Sequence, residues 1–318
     1  MDLLDQQLEA GLKGDFETGF LIGKQLAVKT PDDPRASFNR GWYELMYGNL
    51  LEGHRLLDHG RTINIFGNPA INTKQPLWDG ETDATVFLNL EGGLGDQIHG
   101  FRYAFELERL GNKVVVACSY PLKELFSKDF VTVYHEASSM VYHDYWLPSM
   151  SAIIPFDYNY YDLSGKSYIP KTAKSEGKVG VAWCGNPEFE HHQHRLFPKE
   201  LMFDAVRDMD CLSLQKEGEI PQWMERPSLT TWKDTQKAIS RCDLVVSSCT
   251  SVAHLAGAMG VETWIVVPLL PYYLWALSCD KTPYYDSITL FRQEKHGEWE
   301  RPFNKIKQRL RTQERIAA

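Results

Sequence analysis

The chain has 318 residues, 43% of them hydrophobic and 24% charged, so it can bury a sizeable core, and disorder and collagen are excluded. At the usual domain size this length suggests two globular units with an appendage. Lys plus Arg number 34 against 42 Asp plus Glu, a net charge of −8, which disfavours broad, salt-driven capture of nucleic acid.

The first residues, MDLLDQQLEAGLKGD, lack the basic segment and apolar run of a signal peptide. The most apolar stretch, 264–277, contains Pro268 and Pro271 and falls short of the roughly 20 residues that span a bilayer. Cys118, Cys184, Cys211, Cys242, Cys249 and Cys279 form no CxxC pair, which points to reduced thiols rather than a zinc ribbon or a redox motif. A soluble, cytoplasmic protein without a transmembrane segment is expected.

Apolar positions at helical spacing predict helices over 3–13, 16–28, 36–47 and 50–61, broken at Gly14, Pro31 to Pro34 and Gly48. Gly14 and Gly48 lie 34 residues apart, as do Gly19 and Gly53, and 34 is the period of a tetratricopeptide helix pair. Trp42 and Leu45 fit the start of that consensus. Residues 1–66 are therefore expected to form a tetratricopeptide-like helical domain. Two such units are fewer than the three or so that stand alone, so this segment should pack on a neighbour.

After a Pro/Gly/Asn-rich connection, 84–90 reads as a buried strand, 91–95 as a glycine turn and 96–110 as a helix. Strands over 113–118 and 130–135 extend this into an open parallel sheet, a Rossmann-like domain over 76–170. Its last part, 136–170, is rich in Tyr, Ser and Pro and gives no clear assignment. A second Rossmann-like domain, 171–318, is expected from strands at 178–183, 211–215, 244–247 and 263–267. Helices at 197–209, 235–242 and 251–259 fit between them, the last capped by Thr250 or Ser251. A closing helix over 302–315 carries Lys305, Lys307, Arg309, Arg311 and Arg315 on a solvated face.

Two strand-to-helix junctions carry chemistry. In Gly92-Gly93-Leu94-Gly95-Asp96-Gln97, glycines let backbone approach a ligand and exposed N–H groups favour anions. It is not the dinucleotide fingerprint, because position 98 is Ile. The plain alternative is a tight turn with Asp96 serving as a helix N-terminal charge. The second junction, 247–258, runs from clustered hydroxyls into a small-residue helix with His254 in its first turn. It suits a diphosphate; the alternative is an ordinary capped helix with a packed histidine.

Together and in order, LWDG (77–80), EGGLGDQIHGFRYA (91–104), VGVAWCGNPEF (179–189) with Arg195, LSLQKE (212–217), DLVVSSCTSVAHLAGAMGVETWIVVP (243–268) and YYDSITLFRQEKHGEW (284–299) carry a family resemblance. The chain resembles the tetratricopeptide-linked glycosyltransferases related to bacterial heptosyltransferases, and more distantly O-GlcNAc transferase. The resemblance implies a GT-B fold, two Rossmann-like domains facing a cleft, with an α/β class overall. It implies an inverting, metal-independent transfer of sugar from a nucleoside-diphosphate donor to an acceptor hydroxyl, with no cofactor besides the donor substrate. Asp96 matches the general base. Arg195, Thr250, Ser251 and His254 match the diphosphate-holding positions. Trp183, Gly185 and Asn186 occupy the matching loop of the second domain, and Gln215 lies where the nucleoside is expected. Core packing for Trp183 and a satisfied strand-end amide for Gln215 are the alternatives. The acceptor class, glycan, protein or small molecule, stays open, and the helical segment is expected to engage it.

Two departures from the family pattern stand out. Cys249 replaces the usual Asp before the Thr–x–x–x–His pattern, and a thiol of reference pKa about 8.5 is no substitute for a carboxylate. His191-His192-Gln193-His194 replaces an Asp/Asn-containing stretch before Arg195; no accompanying ligand cluster supports a zinc reading. Asp208-Met209-Asp210 precedes its strand rather than following it, unlike a DxD metal motif. Tyr272, Tyr273, Trp275, Tyr284 and Tyr285 read mostly as buried aromatics. The rival functions are a non-catalytic nucleotide- or sugar-binding protein with a degenerate GT-B pocket, an NAD-dependent oxidoreductase resting on the glycine turn alone, and a fucosyltransferase-like enzyme sharing the GGLG turn.

Overall fold

The structure, a computed structural model, describes residues 2–127, 129–185 and 192–317, with the side chains of His192 and 313–317 left aside. It is an α/β protein with two sheets dominated by parallel strands and an N-terminal helical segment. The chain divides into two compact units, Leu26–Leu163 with Thr231–Lys233, and Met1–Gln25 with Ser164–Thr230 and Asp234–Ala318.

The helical segment holds α1 (Leu3–Leu12), α2 (Phe16–Lys29), α3 (Pro34–Met46) and α4 (Leu50–Asp58). Asp2 and Asp5 form a reciprocal capping box at the start of α1. Asp33 caps α3, whose first residue Pro34 brings a preset φ. The 34-residue spacing recurs in the turns that end α1 and α3. Gly14 and Gly48 both have positive φ, 76° and 90°. At the first, Gly14 N–H donates to Gly11 and Asp15 N–H to Ala10; at the second, Gly48 donates to Leu45 and Asn49 to Glu44. This paired bonding is the glycine-requiring helix stop of the Schellman type.

In the first unit β1 (Thr85–Asn89), α5 (Leu94–Gly100), α6 (Arg102–Arg109), β2 (Lys113–Ala117), α7 (Lys123–Phe126), β3 (Val131–Val133), β4 (Tyr145–Pro148) and α8 (Ile153–Phe156) follow in order. The strands form a wholly parallel sheet in the order β3-β2-β1-β4. The single helix expected over 96–110 is two helices that meet at Phe101, which stacks on Phe126 at 4.1 Å.

The second sheet comprises β5 (Lys178–Ala182), then after α9 (His192–Arg195) and α10 (Lys199–Val206) β6 (Cys211–Ser213), then α11 (Trp232–Ser240), β7 (Cys242–Ser248), α12 (Ser251–Ala258), β8 (Glu262–Val267), β9 (Lys281–Thr282) and β10 (Tyr285–Arg292). Its order is β6-β5-β7-β8-β10-β9, parallel except for the edge strand β9. α13 (Glu300–Ala317) closes the chain. Phe303, Ile306 and Leu310 on α13 join Met202 and Val206 of α10 and Val179, Val246 and Trp264 of the strands in one buried cluster. The near-continuous apolar runs in β5, β7 and β8 are what a sheet covered on both faces demands.

Candidate functional site

In a doubly wound sheet, ligands bind beyond the carboxyl ends of the strands, where the strand order reverses and the connections part to opposite faces. In the second sheet that point lies between β5 and β7. The loops it opens are 183–185 and 249–250, and α12 begins immediately after.

Cys249 accepts a 3.0 Å hydrogen bond on its carbonyl from Arg195 Nη1, which brings the guanidinium over the switch point. Gly185 sits beneath it. A Cβ there would lie 2.8 Å from Arg195 Nη2 and 3.0 Å from Thr250 Cγ2, so the absence of a side chain is what lets the cation and the helix start converge. Burial pulls the Arg195 pKa below the ordinary guanidinium value, with the Cys249 and Cys184 thiols acting the other way. Thr250 is the residue before α12, with extended backbone at φ −140°, yet its hydroxyl makes no cap bond. It lies 3.3 Å from Ser247 Oγ instead. Thr250 therefore gives the eight-residue helix no side-chain cap, and the partial positive charge of its first-turn N–H groups lies near Arg195, both bordering Gly185. Ser251, the first helical residue, is half-buried there.

Other expected donor residues make contacts within the fold. Gln215 Oε1 accepts from the N–H groups of Trp183 and Cys184 at 3.1 and 2.9 Å, latching the β5 loop to the end of β6. Trp183 is buried in the core, edge-on to Phe203 at 4.9 Å. His254 is 4% exposed, stacked on Trp275 at 5.1 Å, with Nδ1 3.1 Å from the Tyr285 hydroxyl. Trp275 Nε1 in turn donates to Cys249 Sγ at 2.9 Å, so the side chain at this position turns into the aromatic box while its carbonyl holds Arg195. Asn186 lies outside the described residues, as does His191; the His194 ring lies 5.7 Å from that of His296. Among the described residues no group of three or more His, Cys, Asp or Glu is arranged to hold a metal ion.

The first sheet reverses order between β1 and β4, and the glycine turn follows β1. Gly92 has φ 75°, and a Cβ on it would meet Asp96 Oδ2 at 2.8 Å. The turn is thus open to glycine alone on two counts. Gly93 N–H donates to Asp96 Oδ2 at 2.9 Å, which makes the carboxylate the reciprocal partner of the helix start. Gly95 lies inside α5. Gln97, 3% exposed, donates to Gly92 O and Ser119 Oγ and accepts from Ser119 N–H, tying the loop after β1 to that after β2.

Behind this turn sits a buried cluster that the sequence does not announce. Glu91 is bound by Arg61 through both carboxylate oxygens and accepts the Met150 N–H at 3.3 Å. Arg61 also reaches Asp58 at 3.1 Å and Ser151 Oγ at 2.6 Å. Burial pushes the Glu91 carboxyl above its ordinary range, and the guanidinium opposes that shift. These residues come from segments as many as 93 positions apart, beyond the reach of any local pattern.

No family model matches the chain, and no curated protein matches it. Among solved structures the chain is similar to TibC of enterotoxigenic E. coli H10407, described as a bacterial iron-containing dodecameric glycosyltransferase, at 10% identity and a TM-score of 0.46 over 72% of this chain and 66% of that one. It thus spans just under two thirds of TibC's length. It is also similar to a variant of the O-GlcNAc transferase of Thermobaculum terrenum, at 9% identity and a TM-score of 0.34, covering 96% of this chain and 81% of that one. Among the described residues no helix is long and apolar enough to cross a membrane.

Proposed function

We propose that the chain is an inverting, metal-independent glycosyltransferase that takes its sugar from a nucleoside-diphosphate donor held at the β5/β7 switch point. The observation that carries this reading is the Arg195 guanidinium, anchored on the Cys249 carbonyl over Gly185, beside the uncapped start of α12. A fixed cation and a helix N-terminus side by side meet the charge that develops on a departing diphosphate.

In the reaction so read, Asp96 takes the proton of the acceptor hydroxyl. The acceptor oxygen then forms its bond to the anomeric carbon from the face opposite the diphosphate. The bond from that carbon to the phosphate oxygen breaks, and its electron pair leaves with the diphosphate. The helical segment is read as the part that engages the acceptor or a partner.

Thermal unfolding against ADP, GDP, UDP and dTDP at millimolar concentration tests the donor site. Saturation at 100 times the dissociation constant stabilises by about 2.7 kcal/mol. One nucleotide is expected to raise the midpoint, and Arg195→Ala is expected to remove that rise; no shift with any nucleotide would overturn the reading. A second reading, a nucleotide- or sugar-binding protein without turnover, is favoured by the commitment of Cys249, Gln215 and His254 to internal contacts. Release of labelled sugar from the donor onto an acceptor mixture separates the two.

A further inference from the structure

Tyr120 is 78% exposed, an unusual state for an aromatic ring that the surrounding chain holds so firmly. Ser119, just before it, is locked from both sides, since its N–H donates to Gln97 Oε1 and its Oγ accepts from Gln97 Nε2, each at 2.8 Å. Pro121, just after it, fixes the backbone of a 3-10 turn over Tyr120–Leu122, and Leu122 is fully buried. The ring itself is stacked on Tyr134 from the end of β3, with centroids 5.5 Å apart and planes 24° apart. Lys123 Nζ lies 4.5 Å from the Tyr134 centroid. One face of Tyr120 is thus used for stacking and the other is presented to solvent on a rigid base.

The folded unit gains little from leaving that face open, whereas a binding site gains from having it ordered in advance, because the cost of fixing the side chain is already met. The platform stands beyond the carboxyl ends of β2 and β3, the same end of the sheet as the glycine turn, and one residue from the Gln97 latch. An open, pre-ordered aromatic face complements a pyranose ring, whose axial C–H groups pack on it.

We infer that Tyr120 and Tyr134 form a saccharide-binding platform and that the acceptor is a glycoside whose ring stacks on Tyr120. This rests on the glycosyltransferase reading and deepens it by assigning the acceptor class.

Saturation-transfer NMR on the full chain tests it, with the methyl glycosides of glucose, galactose, mannose and N-acetylglucosamine as probes and a Gly/Ser-rich peptide as comparison. Transfer is expected to the ring C–H protons of at least one glycoside, to fall at least fivefold in Tyr120→Ala, and to persist in Tyr120→Phe and in Tyr142→Ala, an exposed tyrosine elsewhere. The inference is overturned by absence of glycoside signal, by signal indifferent to Tyr120→Ala, or by signal from the peptide alone. Nucleoside diphosphates titrated into the same samples keep the two readings apart. Diphosphate binding without glycoside binding removes only the platform, and loss of both removes sugar transfer altogether.

Discussion

At the scale of the residue, Asp96 carries two duties that substitution can separate. Its Oδ2 accepts the Gly93 N–H and completes the start of α5, and the proposed chemistry asks the same carboxylate to take a proton. Asparagine keeps an acceptor for Gly93 and loses the basicity. Asp96→Asn is therefore expected to leave the unfolding midpoint and nucleotide binding nearly unchanged while abolishing transfer. Asp96→Ala removes the acceptor as well and should cost about 1 kcal/mol of stability, the usual worth of a helix-start contact. Turnover by Asp96→Asn equal to that of the parent would take Asp96 out of the base role. The strand-to-helix junction at 91–96 is plain in the sequence. That a carboxylate three residues into a helix bonds back to the N-cap is also a local rule, so the capping alternative was open from the start. The surroundings of His254 and Cys249 were not, because Trp275 and Tyr285 approach them from 26 and 31 positions away.

At the scale of the element, most of the periodic segments lie where their spacing puts them, from the four opening helices to β7 and β8. The departures have identifiable causes. The helix expected over 96–110 breaks at Phe101, whose ring is drawn into a stack with Phe126, and Gly100 approaches Ser149 so closely that a Cβ would lie 2.7 Å away. β4 hides in 136–170 because its residues, Tyr145–Pro148, contain a proline and are only partly buried. β10, absent from the expected strands, lies in an aromatic-rich stretch that the sequence allows to be read as burial alone. Contacts between elements are where sequence falls silent, and the Arg61–Glu91 pair is the clearest instance. It joins the turn that follows α4 to the end of β1, with side-chain exposures of 22% and 2%. Removing one partner of a buried pair leaves the other charge uncompensated, at a cost of about 3–5 kcal/mol, whereas apolar replacement of both is much milder. Urea unfolding of Arg61→Met is expected to show a loss in that range, and Arg61→Met with Glu91→Leu to recover most of it. An additive double variant would show that the two side chains do not act as a pair.

At the scale of the whole molecule, the unit built on the first sheet holds histidines that the fold keeps neutral. His54 on α4 is 4% exposed, and burial lowers its pKa from 6.5 to about 4. His135, bonded to Asn89 at 2.9 Å, is lowered by the same cause. Between those two values for His54 the unfolded chain binds a proton that the native chain refuses, so the native state loses ground as pH falls. The contribution is complete above pH 6.5 and is lost progressively as pH drops through 6.5 towards 4, a total of about 3 kcal/mol for the shift at His54. His54→Leu removes that titration while keeping an apolar group of similar bulk against the 149–151 turn. Thermal unfolding of parent and variant at pH 7.5, 5.5 and 4.5 should therefore show the stability difference moving in favour of the variant by about 2.5 kcal/mol over the range, most of the full shift, with His135 still supplying part of the acid slope in both. A difference that stays constant with pH would mean that the His54 ring takes up its proton in the folded chain as it does in the unfolded one, and that the acid sensitivity of this unit lies elsewhere.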